Sequence, residues 1–316
     1  MRTGYLIRRL GTAILVLIGV VLVTFIMLHV IAPSPGRAAL GLRATPEQVA
    51  AYNLANGYDR PLIVQFFSYL GQVVHGNLGW SYSLNQSVVS LLKEKAPLSA
   101  FLSGASTVLA ILIAIPLGIY QAVKRNSVGD NVATAVAFTL YSMPVFLLGL
   151  ILIDIFALSL GWVNANVGQD QSLSGALAHF TDLILPIVSL TAVAVASYSR
   201  YQRSAALDVM AQDYIKVARA KGLAERLVLT RHLVRNSALP MITLIGLSIP
   251  ILLAGNLLIE GVFNINGLGL LFFKSLGSED YNVLIGYTLV GAVLTVLGNL
   301  VADIALTAAD PRIRLV

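Results

Sequence analysis

Residues 198–240 read YSRYQRSAALDVMAQDYIKVARAKGLAERLVLTRHLVRNSALP. This is the one long polar passage between two strongly apolar segments. It carries eight of the chain's 21 Lys and Arg residues, from Arg200 and Arg203 through Lys216, Arg219 and Lys221 to Arg226, Arg231 and Arg235. Nothing between Ser204 and Lys221 breaks a helix, and Asp213 and Lys216 stand at an i,i+3 spacing that permits an ion pair. Gly222 then interrupts, and residues 223–238 predict a second helix that reaches the next apolar segment at Leu239-Pro240. Two helices joined at one glycine, with no core of their own, make a projection that needs a partner protein. Its guanidinium and ammonium groups suit carboxylates and carbonyls on that partner, and anionic lipid competes for the same charges.

Composition assigns the class. With 57% apolar residues, 11% charged residues and a mean hydropathy of +0.81 over 316 residues, the chain lies far outside soluble averages. It reads as an all-α, polytopic integral membrane protein. It has no cysteine, which excludes disulfides, thiol catalysis and Cys-ligated metal. A net charge of +6 does not require nucleic acid as a partner, because loop sorting explains it better.

Six uncharged runs are long enough to cross about 30 Å of hydrocarbon at roughly 20 residues each. They are residues 10–36, 96–123, 131–153 with a continuation past Asp154 to 161, 183–199, 236–259 and 281–302. Six transmembrane helices are therefore expected, with tilt or kinking where a run is short or long. With the N-terminus inside, residues 1–9, 124–130, 200–235 and 310–316 hold 15 of the 21 basic residues and five of the 15 acids. That asymmetry predicts that both termini are cytoplasmic.

The expected organisation is an N-terminal transmembrane helix (1–32), an external segment (33–95), a transmembrane core (96–308) with its cytoplasmic loop (200–240), and a short cytoplasmic tail (309–316). Arg2, Arg8 and Arg9 before an apolar run resemble a signal peptide, but the run is too long for one and ends in Ala32-Pro33-Ser34-Pro35 without a convincing cleavage pattern. In the external segment, Thr45-Pro46-Glu47-Gln48 has the form of a capping box with proline in the first turn. Asp59-Arg60-Pro61 marks a turn, and Leu62, Gln65, Phe66, Tyr69 and Leu70 have amphipathic spacing. A small helical cap against the membrane face follows, since some 60 residues without cysteines make a poor independent core.

The second transmembrane helix is expected to start after Lys93-Glu94-Lys95, with Ser99, Ser103, Gly104, Ser106, Thr107 and Ala110 allowing close packing. Pro116 and Pro144 are hinge candidates. Asp154, Glu260 and Asp303 lie in or at the ends of apolar runs, where a charge is expensive. Asp303 and Glu260 read as structural, each near a membrane surface, and Asp154 as the candidate for lining a transport pathway. Residues 260–274 predict an external turn followed by a short helix. Their Gly267-Leu-Gly269 pair is not a nucleotide fingerprint, because no strand precedes it. His29, His75, His179 and His232 show no metal spacing, and no serine-nucleophile elbow is present. No catalytic residue, metal ligand or cofactor site is expected.

Asp213-Tyr214-Ile215-Lys216-Val217-Ala218-Arg219-Ala220-Lys221-Gly222-Leu223, followed by Glu225-Arg226, Arg231-His232, Arg235-Asn236 and Leu239-Pro240, resembles the EAA loop of ABC-importer permeases in its dipeptide/oligopeptide version. Further resemblances span the chain: Ala44-Thr-Pro-Glu-Gln48, Tyr58-Asp-Arg-Pro-Leu62, Gly76-Asn-Leu-Gly79, Gly261-Val-Phe263, Gly267-Leu-Gly269 and Asp310-Pro-Arg312. Lys216 departs from the general pattern, which has Glu there. Pro240 lies 18 residues after Gly222, farther than in sugar importers but usual for peptide permeases.

The resemblance implies a type I core of five helices with one helix and an external segment added at the N-terminus, in the inner membrane of a prokaryote. It implies a second homologous permease subunit, two cytoplasmic ATPases that hold ATP and magnesium, and an external binding protein that delivers peptide. Asp213, Tyr214, Lys216, Ala218, Arg219, Ala220, Lys221, Gly222, Leu223, Glu225 and Arg226 would form the coupling element. Nickel chelates or other small solutes are the alternative cargo. A proton-coupled carrier fits worse, because inverted halves are not evident.

Overall fold

The computed structural model describes residues 3–31, 35–41, 44–168, 172–238, 240–242, 244–246 and 256–309. Of these, it describes the side chains of all but 3–10, 28, 30, 31, 35, 38 and 302–309. The chain is almost wholly helical. Helix α1 (Thr3–Ile31) is followed by α2 (Pro35–Leu40), α3 (Pro46–Asn56) and α4 (Leu62–Val74), then by a two-stranded antiparallel hairpin, β1 (Trp80–Ser81) and β2 (Gln86–Ser87). The long helix α5 (Val88–Val123) leads to α6 (Val128–Ser142) and α7 (Val145–Leu152), which continues as a π-helix over Ile153–Ser159. After α8 (Leu173–Ala178), α9 (Ile184–Met210) runs into the basic loop.

Among the described residues, three helices are long and apolar enough to cross a membrane: α5, the 31-residue stretch ending with α9, and the last helix, which spans Tyr281–Ala309. The α6–α7 pair passes the same test jointly but is bent by 104°. Met143 is extended, with φ −83° and ψ 129°, the conformation towards which the pyrrolidine ring of Pro144 biases the residue before it. The expected hinge is thus a sharp corner. Pro116, by contrast, sits inside α5 without ending it. Much of the fifth expected span, 236–259, lies outside the described residues.

Helix α5 begins at Val88, eight residues before the expected start at Ala96. Ser87 caps it, its hydroxyl accepting from the Ser90 amide, and Leu91 and Leu92 are buried in that first part. Lys93-Glu94-Lys95 therefore lies within the helix, where Lys95 and Glu94 pair with each other.

The segment before α5 folds as its caps dictate. The Thr45 hydroxyl accepts from the Gln48 amide and the Gln48 carboxamide accepts from the Thr45 amide, completing the capping box. Phe66 of α4 is buried edge-on against Phe25 of α1. The hairpin is held from the far end of the sequence. Asp280 accepts from the Ser81 hydroxyl (2.5 Å), the Ser83 amide (3.1 Å) and the Ser83 hydroxyl (2.8 Å), and the Asn282 side-chain carboxamide donates to the Trp80 carbonyl (2.9 Å).

Two apolar clusters stitch the helices together. One joins Phe25, Phe66, Leu78, Leu91 and Val283; the other joins Leu98 and Leu102 of α5 to Leu183, Ile187, Ile259 and Phe263. Helices α5 and α9 approach closely at Gly118, where an added Cβ would lie 2.7 Å from the Ser199 carbonyl oxygen and from Gln202 Cβ. Helix α12 (Leu257–Val262) extends into the start of the expected turn, which therefore begins at Phe263 rather than Glu260, and α13 (Leu268–Gly277) is the short helix expected after it. Glu260, fully buried, accepts from the Ser99 hydroxyl (2.7 Å) and from the Leu270 (3.0 Å) and Asn256 (3.2 Å) amides. It ties α5, α12 and α13 together, the structural role expected of it. The side chain of Asp303 lies outside the described part.

Candidate functional site: the basic loop

The loop is not one helix from Ser204 to Lys221. Helix α9 stops at Met210, and Gln212 turns extended (φ −70°, ψ 147°) before α10 (Asp213–Ala220) begins. Burial outweighs local propensity here. The turn allows Ile215 and Ala218, both buried, to pack against Val228 and half-buried Leu223. A helix continued straight from α9 would leave that apolar pair without a partner.

The second half is a continuous helical rod, as expected, formed by α11 (Glu225–Leu227), a π turn (Val228–Val234) and a last turn at Arg235–Ser237. Between α10 and the rod, Gly222 adopts φ +76°. Its amide donates to the Arg219 carbonyl (2.9 Å) and the Leu223 amide to the Ala218 carbonyl (3.3 Å). This pair of bonds is a Schellman stop, which requires a left-handed residue and so favours glycine.

Across that stop, Arg219 grips Glu225 with two hydrogen bonds, Nη2 to Oε1 at 2.7 Å and Nε to Oε2 at 3.1 Å. The hydrogen bond from Arg219, more than any other influence, holds the Glu225 carboxyl below its ordinary range. Asp213 and Lys216 pair at 2.9 Å, but both are well exposed and the bond contributes little.

Of the residues expected to form the contact element, Ala218 is instead packed inward and Leu223 half-buried, so both belong to the small apolar core that seats α10. Tyr214, Lys216, Arg219, Ala220, Lys221, Gly222, Glu225 and Arg226 are exposed, as is Asp213. Tyr214 (43%) and Val217 (50%) put apolar surface on the open face of α10. Asp154 is exposed on the π-helix after α7, and no hydrogen bond or ion pair holds it among the described residues.

Sequence reasoning missed the anchor of the loop. Asp130, at the start of α6, is buried and bound in two-pronged fashion by Arg203 of α9: Nε to Oδ1 at 3.0 Å and Nη2 to Oδ2 at 2.9 Å. The Asn126 amide (2.9 Å) and Thr134 hydroxyl (3.3 Å) complete its shell. The Arg203 hydrogen bond, foremost among these contacts, lowers the Asp130 carboxyl below the usual range. One helical position before Arg203, the Gln202 side-chain carboxamide donates to the Ser237 hydroxyl at the end of the rod (2.8 Å). The stem of the loop is thus fastened to α6 and to its own returning strand of chain. Ser127-Val-Gly-Asp130 signals only a helix start, and nothing local in it points to a partner 73 residues away.

The model of the family described as "Binding-protein-dependent transport system inner membrane component" matches residues 114–315, and its N-terminal companion matches 2–103. The chain belongs to this family. It is a permease subunit of an ABC importer, a multi-pass inner-membrane protein whose ATPase is a separate subunit. Among its relatives, the permease is 36% identical over 315 residues to the oligopeptide transport system permease protein AppB of Bacillus subtilis, covering 98% of this chain and 99% of that one. It is 35% identical to the di/tripeptide transport system permease protein DppB of Pseudomonas aeruginosa, over 98% of each. It is 34% identical to the glutathione transport system permease protein GsiC of Salmonella choleraesuis, over 98% and 99%. A chain of the inward-facing MetNI methionine ABC transporter superposes with a TM-score of 0.53 at 19% identity, covering 69% of the permease and 96% of that chain. The match is one of fold, and it supports the type I assignment.

Proposed function

We propose that this permease forms half of a transmembrane pathway for di- and oligopeptides, alongside a second homologous subunit. Two cytoplasmic ATPases drive it, and an external binding protein loads it. Both termini lie in the cytoplasm, and residues 33–95 lie outside. Three full-length relatives named for peptide or glutathione transport support the cargo.

The observation that carries the mechanism is the architecture of the loop. Helix α10 is set off by Gln212 and Gly222, backed by Ile215 and Ala218, and left with Tyr214 and Val217 bare on a basic projection. In this reading α10 seats in a groove of one ATPase, and Arg219 and Glu225 keep its exit angle fixed. ATP-driven approach of the two ATPases pushes the loop, and Asp130–Arg203 and Gln202–Ser237 pass that push to α6 and α9 as a rigid-body swing. Asp154, exposed on this subunit alone, lines the route between the two permease subunits.

The test is ATP-dependent uptake of labelled di- and oligopeptides in proteoliposomes containing the co-purified subunits. Gly222→Pro removes the amide that closes the stop and imposes φ near −65° where +76° is needed. Arg219→Glu sets two carboxylates against each other. Each variant is expected to stay in the membrane and lose uptake. Normal uptake by both refutes the coupling role. The exchange Arg219→Glu with Glu225→Arg separates the internal brace from contact with the ATPase: recovery assigns the pair to the brace.

A further inference from the structure

At the end of the molecule opposite the basic loop, the segment before α5 and the last transmembrane helix enclose a cavity of about 690 Å³. Its walls are α1, α3, α4, the hairpin and the first turn of the helix at Tyr281–Ala309. That volume lies within the range of small-molecule sites, about 300–1,000 Å³. We infer that this cavity is a binding site for the C-terminal portion of a short peptide, carried by the permease itself and independent of the external binding protein. The inference rests on the peptide-import reading and on the external placement of residues 33–95.

The chemistry of the wall selects the ligand. Among the described residues no Asp or Glu lines the cavity, while Arg60 does, and its guanidinium makes no ion pair with any of them. A single free guanidinium beside neutral groups fits one carboxylate in planar, two-pronged fashion. Tyr52 and Tyr58 lie with ring centroids 6.4 Å apart at 21°, and the Tyr58 and Tyr82 hydroxyls meet at 3.4 Å. Together with half-exposed Trp80 they give flat apolar surfaces that accept a side chain of any shape.

Between aromatic faces and cation stand carboxamides. Gln72 lines the wall, and the amide group of Asn77 remains open, since only its carbonyl oxygen is engaged, by the Gly79 amide. Carboxamides match the alternating N–H and C=O groups of a peptide main chain. Finally, the Tyr69 hydroxyl, on the same wall, is buried and has no hydrogen-bond partner among the described residues. A buried hydroxyl left unpaired costs about 1–3 kcal/mol, and a polar ligand group would satisfy it. A lipid phosphate would be served by several convergent cations, and the wall supplies one.

The experiment uses the assembled transporter in nanodiscs without its binding protein. Equilibrium binding is measured for radiolabelled Ala-Ala-Phe and for its C-terminal amide. The free acid is expected to bind saturably and the amide roughly tenfold more weakly, the size of one charge-assisted hydrogen-bond pair. Arg60→Ala should weaken the acid by a similar factor and abolish the difference between the two, and Arg60→Lys should restore part of it. The site is overturned if no Arg60-dependent component exists, if the acid-to-amide ratio is unchanged in Arg60→Ala, or if phosphatidylglycerol in the nanodisc displaces the peptide. ATP-driven uptake of the same tripeptide is measured with the binding protein restored. Wild-type uptake without Arg60-dependent binding defeats the cavity alone, whereas failure of wild-type uptake defeats the peptide reading.

Discussion

Arg203→Ala tests whether the Asp130–Arg203 pair anchors the stem of the loop. The substitution strands the Asp130 carboxylate, whose side chain is only 2% exposed, with the Asn126 amide and Thr134 hydroxyl as its remaining donors. Removing one partner of a fully buried ion pair costs about 3–5 kcal/mol. Here the Arg203 side chain is 28% exposed, so water can enter the vacated space, and two hydrogen bonds survive. A loss of about 2 kcal/mol is therefore expected, close to a 30-fold change in the folding equilibrium. Equilibrium unfolding in mixed detergent micelles measures it. Asp130→Asn alone should cost less, because Arg203 can turn to water, and Arg203→Ala combined with Asp130→Asn should be milder than the sum of the two.

The pH dependence supplies a second readout of the same pair. Its folded-state carboxyl titrates below its unfolded value, so the stabilisation is complete above about pH 4 and drains as pH falls through the depressed folded value. The gap between wild type and Arg203→Ala should hold from pH 8 to 5 and close in more acid solution. A variant within about 0.5 kcal/mol of wild type at pH 7, or strict additivity in the cycle, would refute the reasoning.

Three further outcomes follow from close contacts and from chain placement. Gly118→Ala should destabilise by about 1–3 kcal/mol, because its Cβ meets Ser199 and Arg203 backbone atoms within 3 Å; Gly291→Ala, with open space around it, should be near neutral in the same unfolding assay. Asp280→Ala deprives Ser81 and Ser83 of their shared acceptor, so limited chymotrypsin digestion should cut sooner at Trp80 and Tyr82 while the helices resist; unchanged cutting rates would mean that the hairpin holds itself. Because the chain has no cysteine, Asn85→Cys and Lys221→Cys can each be labelled cleanly. An impermeant maleimide should reach the former only from outside intact cells and the latter only in inverted vesicles, and the reverse pattern would overturn the orientation.

Where structure is decided by neighbours in sequence, it was legible. The box at Thr45 and Gln48 and the stop at Gly222 each close within a few residues, and the apolar runs of α5, α9 and the last helix declare themselves by length alone. The break at Gln212 was not legible, since every residue around it tolerates a helix. What ends α9 is the burial of Ile215 and Ala218 on Val228, a contact made only after the chain has turned twice. The early start of α5, likewise, is set by Leu91 and Leu92 packing on residues near Val283.

The candidate site divides along the same line. Periodic charge and one glycine marked the loop, yet its hold on the membrane helices depends on Asp130 with Arg203 and on Gln202 with Ser237, pairs 73 and 35 residues apart. A loop that only had to bind an ATPase would need none of these ties, for α10 already has its own small core. Two buried polar links at the stem make mechanical sense if the loop must also transmit a push. They fasten α9 to α6 on one side and to the end of the returning rod on the other, so a displacement of α9 that reaches Arg203 carries α6 with it unless a buried pair breaks.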